Sequence, residues 1–264
     1  MLQKFFVDQI GDIIQLQNTP TKIVSLVPSQ TELLSDLKMD KEVIGITKFC
    51  IHPKEWYLSK KRVGGTKNPD INLIIKLKPD LIIANKEENR QEDISLLKKH
   101  APVWVSNVHN LSDAYQMIRT VGAMLNKSSE AEVIIQNIMN EKDQLLPFQN
   151  QNKLLHVCYL IWKDPYMSVG ADTFIHDMIN QLGWINVFGH KLRYPVTQIE
   201  EIKSLNPNLI LLSSEPYPFK EKHSALFDPI STRLVDGESF SWYGSRLTHS
   251  FSYFRNLKAS IQSR

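Results

Sequence analysis

Two stretches of this chain share one pattern: INLIIKLKPDLII at 71–83 and IEEIKSLNPNLIL at 199–211. When Pro79 is aligned on Pro207, the apolar residues of the two segments coincide. Each copy predicts a short amphipathic helix, a turn that contains proline and an apolar strand. Strands that are apolar on both faces are typical of parallel sheets covered by helices. Two copies in one chain predict two similar lobes.

Strand and helix signals alternate around both copies. Helices are predicted from Leu33, over 174–182 and from about Ser245. The alternation predicts an α/β fold of two Rossmann-like lobes with mainly parallel sheets. The predicted strands lie at 23–27, 43–47, 81–84, 103–105, 154–160, 209–212 and 233–235, with a hairpin within 6–16.

A helical segment separates the two halves. Its first helix carries an apolar stripe from Leu111 to Leu125, and a capping box at Ser129 and Glu132 starts a second helix that runs to Pro147. Flexible linkers are rich in Gly and Ser, so we expect a single long, rigid α-helix to join the lobes. The predicted domains are an N-terminal α/β lobe at 1–109, the helical segment with the linker at 110–150 and a C-terminal α/β lobe at 151–264.

Composition excludes several classes of protein. The 264 residues are 42% hydrophobic and 22% charged, which is typical of a globular chain and not of a disordered one. No apolar run reaches the roughly 20 residues that span a bilayer. The 31 Lys and Arg residues nearly balance 28 Asp and Glu, so nucleic acid is not an expected partner. Two cysteines make neither a disulfide framework nor a four-thiolate zinc site.

The first sixteen residues lack the pattern of a secretory leader, because Asp8, Gln9, Gly11 and Asp12 interrupt any apolar stretch. Two locations therefore stay open. The protein is expected in the cytoplasm if Met1 is the native start, and in the periplasm or at the cell surface if a leader was removed.

The residues at 23–34, IVSLVPSQTELL, resemble the opening strand, turn and helix of the helical-backbone (class III) periplasmic binding proteins. RVGGTKNPDINLIIKLKPDLIIAN at 62–85 and the helical linker resemble them too. These proteins are the substrate-binding components of ABC importers for vitamin B12, ferric siderophores, haem and some metals. The likeness is strongest to the vitamin B12 branch. It implies capture of a ligand between two lobes, by loops at the carboxyl ends of strands.

Several aromatic residues fall at positions that the resemblance marks as ligand contacts. Phe49 matches a pocket tyrosine of the B12 binders, and Tyr194 matches a pocket tryptophan. Trp162 and Tyr166 fall in a segment that carries pocket phenylalanines, and Glu238 matches an aspartate that faces the ligand. Large flat ligands bind by stacking with a few polar anchors, so aromatic loops are suitable chemistry.

Two positions depart from the B12 pattern, because Thr66 and Asn85 stand where the B12 binders carry tryptophans. A corrinoid remains the first expectation, with a corrinoid precursor, a ferric siderophore or haem as alternatives. Arg246 is expected to anchor an anion or to stack on Trp242. The predicted ligand-binding residues are Ser29, Gln30, Phe49, His52, Thr66, Asn85, Trp162, Tyr166, Tyr194, Glu238, Trp242, Tyr243 and Arg246.

The family docks on its transporter through one acidic residue on each lobe. Glu200 matches the second-lobe position, whereas the first-lobe counterpart is Asn72, with Glu55, Glu87 and Glu88 nearby in sequence. The expected partners are a large small-molecule ligand and an ABC importer permease, and the protein is expected to be a monomer. Charge matching of this kind affects docking orientation and rate more than affinity.

No metal or catalytic motif stands out. The eight histidines form no HExxH, HxH or Cys-x-x-Cys spacing, and we predict no metal site, although His52 is a possible axial ligand to haem iron or cobalt. Nucleotide-binding and hydrolase motifs are missing as well. We therefore expect a non-catalytic binding protein that requires no cofactor and holds a corrinoid, haem or ferric siderophore as ligand. The alternative is a cytoplasmic enzyme or chaperone that reuses the fold to handle a corrinoid or metal cofactor.

Overall fold

The computed structural model describes residues 4–145 and 154–262 of the chain. The chain divides into two compact units. The first unit comprises Met1–Val108, Ser112–Asn137 and Tyr243–Arg246. The second comprises His109–Leu111, Ile138–Trp242 and Leu247–Arg264. The predicted domain boundary at 150/151 lies outside the described residues.

The first unit is built on a five-stranded parallel sheet with the strand order β5-β4-β3-β6-β7. A separate antiparallel hairpin, β1–β2, precedes it. The strands are β1 (Lys4–Val7), β2 (Ile13–Leu16), β3 (Ile23–Ser25), β4 (Val43–Ile46), β5 (Lys61–Arg62), β6 (Leu81–Asn85) and β7 (Val103–Ser106). The helices that begin before residue 145 are α1 (Pro28–Asp36), α2 (Lys54–Ser59), α3 (Ile71–Leu77), α4 (Gln91–Leu97), α5 (Leu111–Met124) and α6 (Ser128–Asp143). Leu111 of α5 and the part of α6 from Ile138 belong to the second unit.

The second unit contains a four-stranded parallel sheet with the order β10-β8-β12-β13. Strands β9 and β11 form a separate, short antiparallel pair. The strands are β8 (His156–Leu160), β9 (Tyr166–Met167), β10 (Ile185–Asn186), β11 (Val196–Thr197), β12 (Leu209–Ser213) and β13 (Thr232–Val235). The helices are α7 (Phe174–Gln181), α8 (Ile199–Ser204), α9 (Gly237–Ser241) and α10 (Leu247–Gln262), with a 3-10 helix at Glu221–Phe227.

Both repeat copies fold as predicted, into a helix, a turn and a buried strand. In the first copy, the Asp70 side chain accepts a hydrogen bond from the Leu73 amide at 2.9 Å and begins α3. The residue before each proline turn has a left-handed backbone, with φ of 50° at Lys78 and 48° at Asn206. This conformation ends the helix and directs the chain into the strand. The predicted α/β fold with mainly parallel sheets is thus confirmed.

The repeat also supplies the core of each unit. In the first unit, Ile74 of α3 packs against a cluster that includes Val24 and Ile82 of neighbouring strands. In the second, Ile202 of α8 packs with Cys158 and Ile210. A parallel sheet covered by helices buries both faces of its strands, which explains why β6 and β12 are apolar along their length.

The predicted linker segment is helical over its described part. Gly122 of α5 lies against the next helix, since a Cβ there would be 2.5 Å from the Ala131 Cβ. The division between the units falls within α6, between Asn137 and Ile138. The predicted continuation of this helix to Pro147 lies outside the described residues. The rigidity of the linker remains a prediction.

Some elements differ from the sequence prediction. Helix α1 begins at Pro28, five residues earlier than expected, because proline is well suited to the first position of a helix. Two-residue strands such as β5, β9 and β11 were missed, since they are too short to show a period of two. No helix within 4–145 or 154–262 is both long and apolar enough to cross a membrane.

Candidate functional site

The carboxyl ends of the first unit's parallel strands carry the residues that the sequence marked as candidate ligand contacts. Ser29 and Gln30 follow β3, in the first turn of α1. Phe49 follows β4, Thr66 follows β5, and Asn85 ends β6. Because all five strands are parallel, these residues share one edge of the sheet.

A buried polar network joins the ends of β6 and β7 to α1. The Asn85 side chain donates to the Ser106 carbonyl at 3.1 Å and to Ser106 Oγ at 3.0 Å, and Gln30 Nε2 also donates to Ser106 Oγ. The Asn85 side-chain oxygen accepts from the amides of Glu87 at 2.8 Å and Glu88 at 3.0 Å. Both ends of this amide are engaged within the protein. Asn85 therefore acts here as a brace for the loop after β6.

A second asparagine extends the same network. Asn89 Oδ1 accepts from the Asn85 amide at 2.8 Å, and Asn89 Nδ2 donates to the Thr66 carbonyl at 3.0 Å and to the Leu26 carbonyl at 3.3 Å. Three loops are thereby tied together through one side chain. Sequence analysis missed Asn89, and only its place four residues after Asn85, in a loop that follows a strand, could have signalled its role.

Tyr243 and Arg246 belong to the first unit, although their neighbour Trp242 belongs to the second. Burial raises the pKa of Tyr243 well above its usual range, and hydrogen bonds to Ser106 and Gln30 oppose that shift. Arg246 forms a bidentate ion pair with Glu32 of α1, at 2.7 and 2.8 Å. The ion pair engages the guanidinium that the sequence offered as an anion anchor.

The backbone of this segment lies close to helix α1. Gly244 has φ of +114°, and a Cβ there would come within 3.3 Å of the Ser29 carbonyl oxygen. Glycine is therefore suited both to the left-handed backbone and to the close approach. The structure thus brings together Ser29, Gln30, Asn85, Tyr243 and Arg246.

Phe49 is the open aromatic residue on this edge, with 49% of its surface exposed. The Lys48 ammonium lies 5.0 Å from the centroid of its ring. His52 is half-buried just before α2, three residues along the chain from Phe49. Cys50 between them is buried and hydrogen-bonded to the hydroxyls of Thr31 and Thr47, each at 3.1 Å.

In the second unit, the loops after β8 and β12 bring aromatic side chains together. Trp162 is 40% exposed, and its ring centroid lies 5.9 Å from that of Tyr217 in an edge-on contact. Tyr217 in turn contacts Phe219 at 4.8 Å and His223 at 5.8 Å. We call Trp162, Tyr217, Phe219 and His223 the aromatic group. In a separate contact, the ring centroid of Tyr166 lies 5.6 Å from that of Phe227.

Lysines lie around this aromatic group. Burial lowers the pKa of His223, and the charges of Lys222, Lys163 and Lys220 lower it further. Lys163 also forms an ion pair with Asp164 at 2.6 Å. Asp164 offsets the charge of Lys163 and raises the pKa of His223, so the positive charge near the rings comes chiefly from Lys220 and Lys222. Sequence analysis missed Phe219 and His223, which lie in a loop and a 3-10 helix that show no periodic pattern.

Glu215 organises the other candidate residues of the second unit. Its carboxylate accepts hydrogen bonds from Ser241 Oγ at 2.8 Å and from the Trp242 indole at 3.1 Å. Burial raises the pKa of Glu215, the charges of Glu238 and Asp236 raise it too, and the two hydrogen bonds oppose the rise. Trp242, which the sequence marked as a ligand-binding candidate, is thus a buried residue whose indole is held by this carboxylate.

The remaining candidates lie apart from these groups or on the surface. Tyr194 is half-buried in the loop before β11, with the Arg193 guanidinium 5.6 Å from its ring centroid. Glu238 is half-buried in α9, where its carbonyl accepts from the Trp242 amide at 2.9 Å. Glu200 is exposed in the first turn of α8, and Asn72 is exposed on α3.

Among the described residues, His, Cys, Asp and Glu side chains form no group of three or more that could hold a metal ion. Both cysteines are buried. Burial raises the pKa of Cys50 and of Cys158, so neither thiol is readily ionised to the thiolate that binds metals.

Comparison with known proteins gives a consistent set of matches. The family model described as "periplasmic binding protein" matches residues 23–228. The uncharacterized ABC transporter substrate-binding lipoprotein YvrC of Bacillus subtilis is 27% identical over 215 residues, which are 77% of this chain and 67% of YvrC. A vitamin B12-binding protein of Vibrio parahaemolyticus is 23% identical over 203 residues, which are 76% of this chain and 74% of that protein.

A solved structure shows the same fold. The periplasmic catecholate-siderophore binding protein VctP of Vibrio cholerae superposes with a TM-score of 0.80 at 15% identity. The match covers 97% of this chain and 100% of VctP.

Proposed function

This chain belongs to the periplasmic binding protein family, and on that premise we propose that its ligand is a corrinoid. It is a substrate-binding protein of the ABC importer family. The vitamin B12-binding relative from Vibrio parahaemolyticus supports a corrinoid as the first choice of ligand. Binding would require no catalytic step and no resident cofactor, with the corrinoid as cargo.

The observation that carries this proposal is the aromatic group of the second unit. A corrinoid is a large, flat ligand, and such ligands gain affinity from stacking and apolar burial. Trp162 offers an open indole face that Tyr217 supports from its edge. The contact between the two rings fixes the orientation of the indole before a ligand arrives, which reduces the entropy that binding must cost.

In the first unit, Phe49 is the residue that we propose for direct contact, because nearly half of its surface is exposed. Ser29, Gln30, Thr66 and Asn85 are buried. Their role in this proposal is to hold the loops in shape, with the polar network through Ser106 as the brace.

A ferric siderophore or haem is the second candidate ligand, and the lysines near His223 favour it. Catecholate complexes and haem propionates are anionic, and Lys220 and Lys222 place positive charge beside the rings. His52 would be the axial ligand in the case of haem. Titration of Lys220→Glu with Lys222→Glu distinguishes these ligands from a corrinoid, because only the anionic ligands should lose affinity when these lysines are reversed.

We further propose that the protein works outside the cytoplasm as a monomer and delivers its ligand to an importer permease. Family membership supports this location and this partner. Glu200, exposed on α8, is the proposed docking contact in the second unit. Glu200→Lys should therefore reduce ligand-stimulated transport without changing ligand affinity.

The test is calorimetric titration of the purified protein with cobinamide, cobalamin, haem and a ferric catecholate siderophore. Heat with a corrinoid, and an affinity reduced about tenfold or more by Trp162→Ala, is the expected result, because one buried aromatic contact contributes at least that factor. His156→Ala is the matched control, since His156 lies at the amino end of β8, at the opposite edge of the sheet. Equal ligand affinities of Trp162→Ala and His156→Ala would show that the aromatic group is not part of the binding site. A chain that binds none of the four ligands would overturn the proposal.

A further inference from the structure

The β1–β2 hairpin has one buried face and one exposed face, and both carry apolar residues; Gln15, opposite Phe5, is the polar residue of the exposed face. Ile14 and Leu16 are buried on one face. On the other, Phe5, Val7 and Ile13 are 62%, 59% and 72% exposed. Val7 and Ile13 are direct partners across the hairpin, so they lie on the same face as Phe5, two residues along β1. An antiparallel ribbon with one buried face ordinarily carries polar residues on the other. We call Phe5, Val7 and Ile13 the hairpin patch.

The hairpin is fixed to the first unit by its turn. The Gln9 amide donates to the Val105 carbonyl of β7 at 3.0 Å. The Gln9 side chain donates to the Asp113 carbonyl at 2.9 Å and accepts from the Asn107 amide at 3.0 Å. The unit therefore presents the hairpin patch on a rigid support, and Ile10, which is also exposed, extends the apolar surface into the turn.

Positive charge lies next to the hairpin patch. Ile13 lines an open groove of about 570 Å³ together with Lys98 and Lys99. The neighbouring carboxylate of Asp12 is held by Lys98 in an ion pair. Lys4, exposed at the open end of the hairpin, pairs with Leu16 and therefore projects from the face opposite to Phe5.

We propose that the hairpin patch docks on an anionic lipid surface. Apolar side chains that enter the interface, with cations that meet acidic head groups, are the two contributions that peripheral membrane binding needs. A second copy of the chain fits less well, because a symmetric contact through the hairpin patch would bring the same cations of two molecules together. A lipid surface accommodates both the apolar side chains of the hairpin patch, which enter the interface, and the neighbouring cations, which meet acidic head groups.

The test is co-sedimentation of the full chain with vesicles of equal parts phosphatidylglycerol and phosphatidylcholine, and with phosphatidylcholine alone. The expected result is binding to the acidic vesicles that weakens as salt is raised. Ile13→Asp should lower the partition coefficient about tenfold or more, since burial of one isoleucine side chain contributes at least that factor. The matched control is Val133→Asp, which changes another exposed apolar residue of the same unit, on α6, and should leave binding unchanged.

Two further variants complete the test. Lys99→Glu should weaken the preference for acidic vesicles. Phe5→Ser should repeat the effect of Ile13→Asp, which keeps the test valid when Ile13→Asp folds poorly. Equal sedimentation of Ile13→Asp, Phe5→Ser and Val133→Asp would overturn the proposal. So would a concentration-dependent dimer that Ile13→Asp dissociates, with no vesicle binding by the parent chain. Ligand affinity should be the same in all these variants, which separates this inference from the proposed function.

Discussion

The ion pair between Arg246 and Glu32 offers a quantitative test of how the first unit holds the Tyr243–Arg246 segment. Arg246 Nε and Nη2 donate to the two carboxylate oxygens of Glu32 at 2.7 and 2.8 Å. The two side chains are only 16% and 17% exposed. Their positions in the chain are 214 residues apart, so the pair closes a very long loop.

The expected loss in the free energy of unfolding when this ion pair is broken follows from its burial and geometry. Removal of one partner from a fully buried pair costs about 3–5 kcal/mol, because a buried charge is left behind. Since each side chain here keeps about a sixth of its exposure, we expect Arg246→Ala to lower the free energy of unfolding by about 2 kcal/mol. A double-mutant cycle with Glu32→Ala should give a coupling energy of about 1–2 kcal/mol. Arg246→Lys should recover only part of it, because an ammonium cannot form the bidentate contact.

The assay is urea unfolding followed by circular dichroism, with all four members of the cycle measured in one buffer. The control cycle uses Arg119 and Glu132, which pair at 2.7 Å on α5 and α6 with side chains 52% and 55% exposed. An exposed pair contributes about 0.5 kcal/mol or less. Equal coupling energies in the two cycles would refute the reasoning, since burial would then have no influence on the strength of the pair.

Three further outcomes follow from the structure. Asn85→Ala should lower the free energy of unfolding by about 2–3 kcal/mol in the same urea assay, because buried partners of its amide lose their hydrogen bonds. The control Asn137→Ala, on the exposed face of α6, should change the free energy of unfolding by less than about 0.5 kcal/mol. The raised pKa of Glu215 means that the native state binds this proton more tightly than the unfolded chain, so stability is lost as pH rises from the unfolded pKa through the native one. Glu215→Gln should therefore gain stability relative to the parent as pH rises above about 4, where an ordinary glutamate ionises. A difference between the two proteins that does not change with pH would contradict the assignment. Gly122→Ala should destabilise by about 1–3 kcal/mol despite its better helix propensity, because its Cβ would lie 2.5 Å from that of Ala131; a rise in the thermal midpoint would show that the helices can separate to admit it.

The layout of the fold was predictable because it rests on local pattern. The helix, turn and strand of both repeat copies follow from the spacing of apolar residues around Pro79 and Pro207. Strands that are apolar on both faces require helices above and below, so the parallel sheets followed as well. Pairings of two residues, such as β9 with β11, were not predictable, since long-range contacts stabilise them and local sequence does not.

The candidate site was predictable as a set of loops, because the carboxyl ends of parallel strands share one edge. Which of its side chains are exposed and which are buried could not be predicted from their spacing in the sequence. Phe49 is open, whereas Gln30 and Asn85 are buried in a network through Ser106. Burial and hydrogen bonding depend on partners that are distant in the chain, and sequence position does not reveal them.

Trp242 and Tyr243 show most clearly what could not be predicted from the sequence. The sequence placed this pair in a polar segment near the end of the chain, within the predicted C-terminal lobe at 151–264. Only the tertiary structure decided that the Trp242 indole donates to Glu215 of the second unit, while Tyr243 is buried within the first. Adjacent residues separate in this way because each buried polar group must find a hydrogen-bond partner, and the fold supplies those partners from different sheets.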